Sequence, residues 1–213
     1  MSGWIDVSLP LSPELLTWPG NPPVEVLANQ RITDGDAANV SELRLGTHSG
    51  THVDPPVHFL DGGGGVDTLP LDVLIGQCWV ADATGRGGAV GADDLDALDV
   101  PTGTDRLLLR TDNSERWSRP TEPFPESYVS VAPDGARWLV DRGMLLVGVD
   151  FLGIEARGSG DHATHVTLLS NDVVIVEGLD LRDVREGAYD LIVMPLRLVD
   201  GDGGPARVAV RAR

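Results

Sequence analysis

Lysine is missing from this 213-residue chain, and all sixteen of its basic residues are arginines. That excludes a Schiff-base lysine, a phosphate-loop lysine and any Ser–Lys dyad. Cysteine is almost missing as well. Cys78 stands alone in an apolar run, Gln77-Cys78-Trp79-Val80, with no partner for an internal disulfide. It reads as a small buried hydrophobe, and a cytoplasmic home is the default expectation. No apolar stretch reaches ~18 residues, so no membrane span is expected. The start, Met1-Ser2-Gly3-Trp4-Ile5-Asp6, has neither the basic region nor the apolar core of a secretory signal. Positive charge is also scarce. A net charge of −17 argues against nucleic acid, which demands a basic face, and reads instead as a solvated acidic surface.

What is present is enough for one domain over residues 1–213, with a hydrophobic content of 41% and a core that needs no staple. Strands are expected at Trp4–Leu9, Val24–Ile32, Val40–Leu45, Gly76–Ala83, Arg106–Arg110, Met144–Val149 and Val173–Val176. Tyr189–Val199 and Ala206–Arg211 read as a closing antiparallel pair. Short helices fit Leu69–Ile75 and Asp93–Leu98. A longer one fits Ala132–Arg142, stopped by Gly143, and another runs from an Asp161 N-cap to Ser170. Residues 62–65, four glycines, read as a flexible turn, and 111–125 as a Pro-rich surface excursion. Helices appear singly between strands, so the fold class is α/β with a mixed sheet.

The histidines are not scattered. His48, His52 and His58 fall within eleven residues with Asp54 among them, and His162 and His165 follow about a hundred residues later. The even numbers would put His48, His52, Asp54 and His58 on one side of a strand. Extended, however, His48 to Asp54 would span ~20 Å, while ligands of one ion each approach to ~2.0–2.2 Å. Gly46, Gly50, Pro55 and Pro56 oppose a helix. A metal site therefore requires a bend at Ser49-Gly50. Imidazole with carboxylate and no thiolate suits zinc, manganese or ferrous iron, and three protein ligands would leave room for water. The same residues would also serve as two hydrogen-bonded histidines and a turn aspartate. His162 and His165 share a helical face by spacing, with His162 the one assigned to the surface. Glu177 ends an apolar strand, where α/β sheets place functional groups. Trp18, in a Pro/Gly loop, packs under that loop or lines a pocket.

The run His48-Ser49-Gly50-Thr51-His52-Val53-Asp54-Pro55-Pro56-Val57-His58 resembles the signature of the cyclase family of metal-dependent hydrolases, which includes kynurenine formamidases and isatin hydrolases. The resemblance extends through Asp6–Ser12, Trp18-Pro19-Gly20, His165–Leu169, Val176–Leu179 and Leu196-Arg197-Leu198. It implies a swivelling β/β/α domain and a homodimer or homotetramer. It implies one or two zinc ions, or manganese, with His48, His52 and Asp54 on one ion and His165 on a second. Asp54 and Glu177 would bridge the two. It makes His58 the general base and acid, and sets Trp18 against an aromatic amide substrate. After Asp150 the formamidases carry a Thr-Pro-Ser-type segment and a further aspartate. Here Phe151-Leu152-Gly153-Ile154-Glu155 stands instead. This departure is expected to alter the pocket and leave metal ligation untouched.

Three functions follow. The first is hydrolysis of N-formylkynurenine to kynurenine and formate by metal-activated water. The second keeps the chemistry but turns it on a cyclic amide, a lactone or a polyketide-like substrate. The third is a metal-binding module without catalysis.

Overall fold

Alternation along the strands decides which side chains meet the helices and which do not. The computed structural model describes residues 3–119 and 122–213. Its strands are β1 (Ile5–Asp6), β2 (Glu25–Gln30), β3 (Val40–Arg44), β4 (His52–Asp54), β5 (Ile75–Asp82), β6 (Ala89–Val90), β7 (Arg106–Arg110), β8 (Ser130–Val131), β9 (Leu146–Val149), β10 (Val174–Glu177), β11 (Gly187–Pro195) and β12 (Gly204–Ala212). Its helices are α1 (Leu71–Leu74), α2 (Ala92–Asp96), α3 (Pro133–Asp141) and α4 (Ala163–Leu169).

The main sheet runs β1-β12-β11-β5-β7-β9-β10-β4. The pairs β5–β7, β7–β9 and β9–β10 are parallel and the others antiparallel, so the sheet is mixed as expected. The start of β12 also pairs with β4, Gly204 with Val53 and Pro205 with His52. That closes the strands from β12 round to β4 into a ring. Val53, Val80, Leu108, Val176 and Val208 belong to the core on one face of the strands. Ala81, Leu107, Leu109, Val147 and Ile175 pack on the other face with Leu139 of α3 and Leu168 of α4. Because sides alternate with a period of two, His52 and Asp54 in β4 and Glu177 in β10 point to the α4 face.

Two expectations change here. The excursion at 111–125 includes Pro120 and Thr121, which lie outside the described residues, but its first part is anchored in the interior. Asp150, fully buried, accepts from Thr111 N (2.7 Å), Thr111 Oγ1 (2.7 Å), Ser114 N (3.2 Å) and Ser114 Oγ (2.7 Å). Burial pushes its carboxyl above the usual aspartate range, and these donors oppose that. The helix expected from an Asp161 N-cap has His162 at that position, with φ 48°. Asp161 Oδ1 instead accepts from Ala163 N at 3.4 Å.

The strands β2 and β3 form a separate antiparallel hairpin, and every residue of both strands is exposed. Among the described residues no helix is long and apolar enough to cross a membrane.

Candidate metal centre

The loop before β4 bends where a metal site requires it to. Gly50 takes φ +64°, a conformation that favours glycine, and turns His48 back toward Asp54. His48 Nδ1 then lies 2.9 Å from Asp54 Oδ1. Gly178, at φ +70°, lies so close that a side chain there would collide with the Gly50 carbonyl. The antiparallel register sets Glu177 directly across from His52, with His52 Nε2 3.4 Å from both Glu177 Oε2 and Asp54 Oδ1. On α4, His165 brings Nε2 to 3.5 Å from Glu177 Oε1 and 4.0 Å from Asp54 Oδ2.

His58 ends a 3-10 turn, Pro56–His58, and lies in reach of His48 and Asp54. Its ring stacks on His48 with centroids 3.9 Å apart. The glycine run behind this turn is tight rather than loose. A Cβ on Gly63 would sit 2.7 Å from Pro56 C and Val57 N, and Val57 N donates to Gly64 O at 3.1 Å. These glycines allow close approach to the His58 turn.

His48, His52, Asp54, His58, His165 and Glu177 thus stand together, five of them lining a cavity of about 380 Å³. The lining also includes Trp18, Asn21, Phe59, Leu152, Gly153, Glu155, His162 and Asp202. Trp18 packs edge-on against Phe124, centroids 5.1 Å apart, and Tyr128, 6.3 Å. It both packs with its neighbours and lines the pocket. His162 has 53% of its side chain exposed at the mouth.

Glu155 was not legible as a site residue, although an acid closing the apolar run Phe151–Ile154 has the same pattern as Glu177 closing β10. Its carboxylate is buried, with Oε2 2.6 Å from His165 Nδ1. Segment 151–155, expected to alter the pocket and leave metal ligation untouched, contacts two of the candidate ligands: besides Glu155 on His165, Ile154 N donates to Glu177 Oε1 at 2.7 Å.

The electrostatics are those of a crowded set of anions and imidazoles. Burial opposes charge on His52, yet Glu177 and Asp54 hold it up to about 9. Burial likewise opposes charge on His165, which Glu155, Glu177 and Asp54 hold up to about 10. Glu177 is held below the usual range by His165 and His52 despite its burial, and Asp54 is also lowered, by His48 and His52. His58 moves the other way, lowered by burial and by the neighbouring His48 and His165.

These residues fit a divalent cation. Asp54 Oδ2 and His48 Nε2 are buried without a hydrogen-bond partner among the described residues, a state that costs about 1–3 kcal/mol per group unless something fills it. His52 Nδ1 lies 2.8 Å from the Gly50 carbonyl; donating there leaves the Nε2 lone pair for a metal. Two clusters, His52-Asp54-Glu177 and His48-Asp54-His58, each bring three candidate ligand atoms within 4.8 Å of one another and share Asp54. An all N/O donor set suits zinc or manganese.

Comparison with known proteins agrees with this chemistry. The family model for putative cyclases matches residues 5–156. The kynurenine formamidase of Erythrobacter litoralis (strain HTCC2594) is 35% identical over 207 residues, covering 97% of this chain and 92% of that protein. A solved structure of a potential metal-dependent hydrolase with cyclase activity superposes with TM-score 0.86 at 35% identity, covering 100% of this chain and 99% of the other. An isatin hydrolase bound to the product analogue thioisatinate shares the fold, with TM-score 0.85 at 23% identity over 98% of this chain and 92% of its own.

Proposed function

The chain belongs to the cyclase family, and from that premise we propose that it hydrolyses N-formyl-L-kynurenine to kynurenine and formate. It is a metal-dependent amide hydrolase, arylformamidase-like. The observation that carries the reading is the buried pair Asp54 and Glu177, ringed by His48, His52 and His165 at the base of a cavity that also holds His58 and Trp18. His48, His52 and Asp54 would hold one zinc or manganese ion, and His165 and Glu177 would serve a second where two bind. A bound divalent cation supplies a water of lowered pKa, near ~7, and polarises the amide carbonyl.

The chain's own residues do the rest. His58, with its pKa lowered, is neutral at pH 7 and free to accept a proton on an imidazole nitrogen. It takes that proton from the attacking water and returns it to the departing amine nitrogen, a step worth ~10²–10⁴ in rate. Trp18 offers its ring to an aromatic substrate at the cavity wall.

A second reading keeps the centre but changes the substrate to a cyclic amide or a lactone. It is favoured by Leu152, Gly153 and Glu155, which line the cavity and differ from the formamidase pattern. One experiment separates the two. The purified chain is stripped with a chelator, reloaded with zinc or manganese, and assayed on N-formyl-L-kynurenine beside a lactam and a lactone. Turnover of the formamide only when metal is restored is expected. No formamide turnover, with metal-dependent opening of the lactam or lactone, overturns the first reading for the second.

The same proposal treats residues 1–213 as one domain that assembles as a homodimer or homotetramer and works in the cytoplasm. The exposed hairpin supports the assembly, and the unpaired Cys78 supports the compartment.

A further inference from the structure

Segment 151–155 reaches two members of the centre at once. Its backbone holds Glu177 through Ile154 N, and Phe151 O accepts from Gly178 N at 2.7 Å, just past the end of β10. Its side chain Glu155 reaches His165. The Glu155 backbone is itself fixed, since Tyr128 Oη donates to its carbonyl at 2.5 Å. No arginine stands within ion-pair distance of this carboxylate among the described residues. Its other neighbour is His162, whose Nδ1 is 3.8 Å from the same Oε2.

The His165 ring is held on three sides. Nδ1 meets Glu155 at 2.6 Å, and Phe59 stacks on its face with centroids 4.3 Å apart at 25°. Nε2 is left directed at Glu177 and Asp54. A proton on Nδ1 donated to a buried carboxylate leaves the lone pair on Nε2, and the carboxylate increases that nitrogen's basicity as a ligand. We propose that Glu155 is a positioning residue that holds His165 with Nδ1 protonated and Nε2 turned onto Asp54 and Glu177, so that metal occupancy on the His165 side depends on it. The inference rests on the metal-centre reading above and adds to it the residue that orients one ligand.

The test compares the full-length chain with E155A and E155Q. Zinc affinity is measured by competition with a chromophoric chelator, stoichiometry by elemental analysis, and the His165 Nδ1–H by proton NMR of the zinc-loaded proteins. E155A is expected to weaken zinc about 10–100-fold on one of the two positions and to lose the downfield, slowly exchanging Nδ1–H. E155Q, whose amide oxygen still accepts, is expected to keep that resonance and recover most of the affinity. Should E155A not fold, E155D serves: its carboxylate is one methylene too short for the 2.6 Å contact and should show the same loss. Parent-like affinity, stoichiometry and Nδ1–H in E155A, or in E155D where E155A does not fold, overturn the inference. If the parent chain takes up neither zinc nor manganese, the metal-centre reading itself fails, a different and distinguishable result.

Discussion

His58 lies face to face on His48, with ring centroids 3.9 Å apart and planes 28° from parallel. Two stacked imidazoles do not both carry charge cheaply, and burial adds to the cost on His58, so its pKa is lowered. A base acts in its deprotonated form. The rate should therefore rise with pH and level off above a pKa lower than the usual ~6.5. His58→Ala should retain the metal and lose about 10²–10⁴ in kcat. Metal content beside a kcat/KM profile from about pH 4.5 to 8 checks both, and an acidic limb centred well above 6.5 would count against His58 as the base.

The metal-free centre should respond to pH in the opposite sense. Its His52 and His165 are held up to about 9 and about 10, against ~6.5 for an unfolded histidine. A raised folded pKa contributes stability that is complete below ~6.5 and is lost as pH rises through the folded value. Asp54 and Glu177 are held low, so their contribution persists above the ordinary carboxylate range. The chelator-treated chain should therefore lose Tm between about pH 6.5 and 10. Zinc should flatten that slope, because a cation takes the place of the two protons. Thermal melts of stripped and zinc-loaded protein across that range decide it; parallel slopes would show that these histidines do not share their site with metal.

Gly153 explains part of the segment that departs from the formamidase pattern. A Cβ there would stand 2.8 Å from the Trp18 ring and 2.9 Å from Tyr128 Oη. Neither yields readily, since Tyr128 is tied to the Glu155 carbonyl and Trp18 abuts Phe124. Gly153→Ala should displace Trp18, at an overpacking cost of about 1–3 kcal/mol, and raise KM for an aromatic amide roughly tenfold, the effect of ~1.4 kcal/mol. Trp18→Ala should raise KM in the same way, its stability loss coming from the packing it gives up against Phe124 and Tyr128 and not from overpacking. Steady-state kinetics and melts on both variants separate the effects, and an unchanged KM in both would remove Trp18 from the substrate site.

The candidate ligands in residues 48–58 were legible because they are contiguous: spacing, glycine placement and the reach of one ion together call for the bend that Gly50 makes. Glu177 was legible as an acid ending an apolar strand. Glu155 was not, because its contact with His165 depends on how the loop between β9 and α4 folds against α4, and no local pattern encodes that path. His162 and His165 looked like one helical face, but a left-handed residue at 162 starts the helix one residue later than Asp161 suggested. The strands were mostly legible by alternation. The closure of β12 onto β4 was not, since it depends on a pairing of residues about 150 apart in sequence.

The hairpin of β2 and β3 gives the last prediction. Val26 and Leu43 are cross-strand partners, yet each is about half exposed. Ile32 and Val40 nearby are similarly open to solvent, at 58% and 43%. A two-stranded ribbon is marginal in water by itself, and apolar side chains grouped on one exposed ribbon mark an interaction surface. A second copy of the chain is the occupant that the proposed homo-oligomer supplies. Light scattering coupled to size exclusion should give a mass at least twice that of one chain. Val26→Asp with Leu43→Asp should shift it toward the monomer, because each introduced carboxylate would have to be buried unpaired in such an interface. Metal uptake should survive the change, since neither residue is in the ligand set. A parent chain that runs as a monomer, or a double variant with unchanged mass, would show that the hairpin is not the contact.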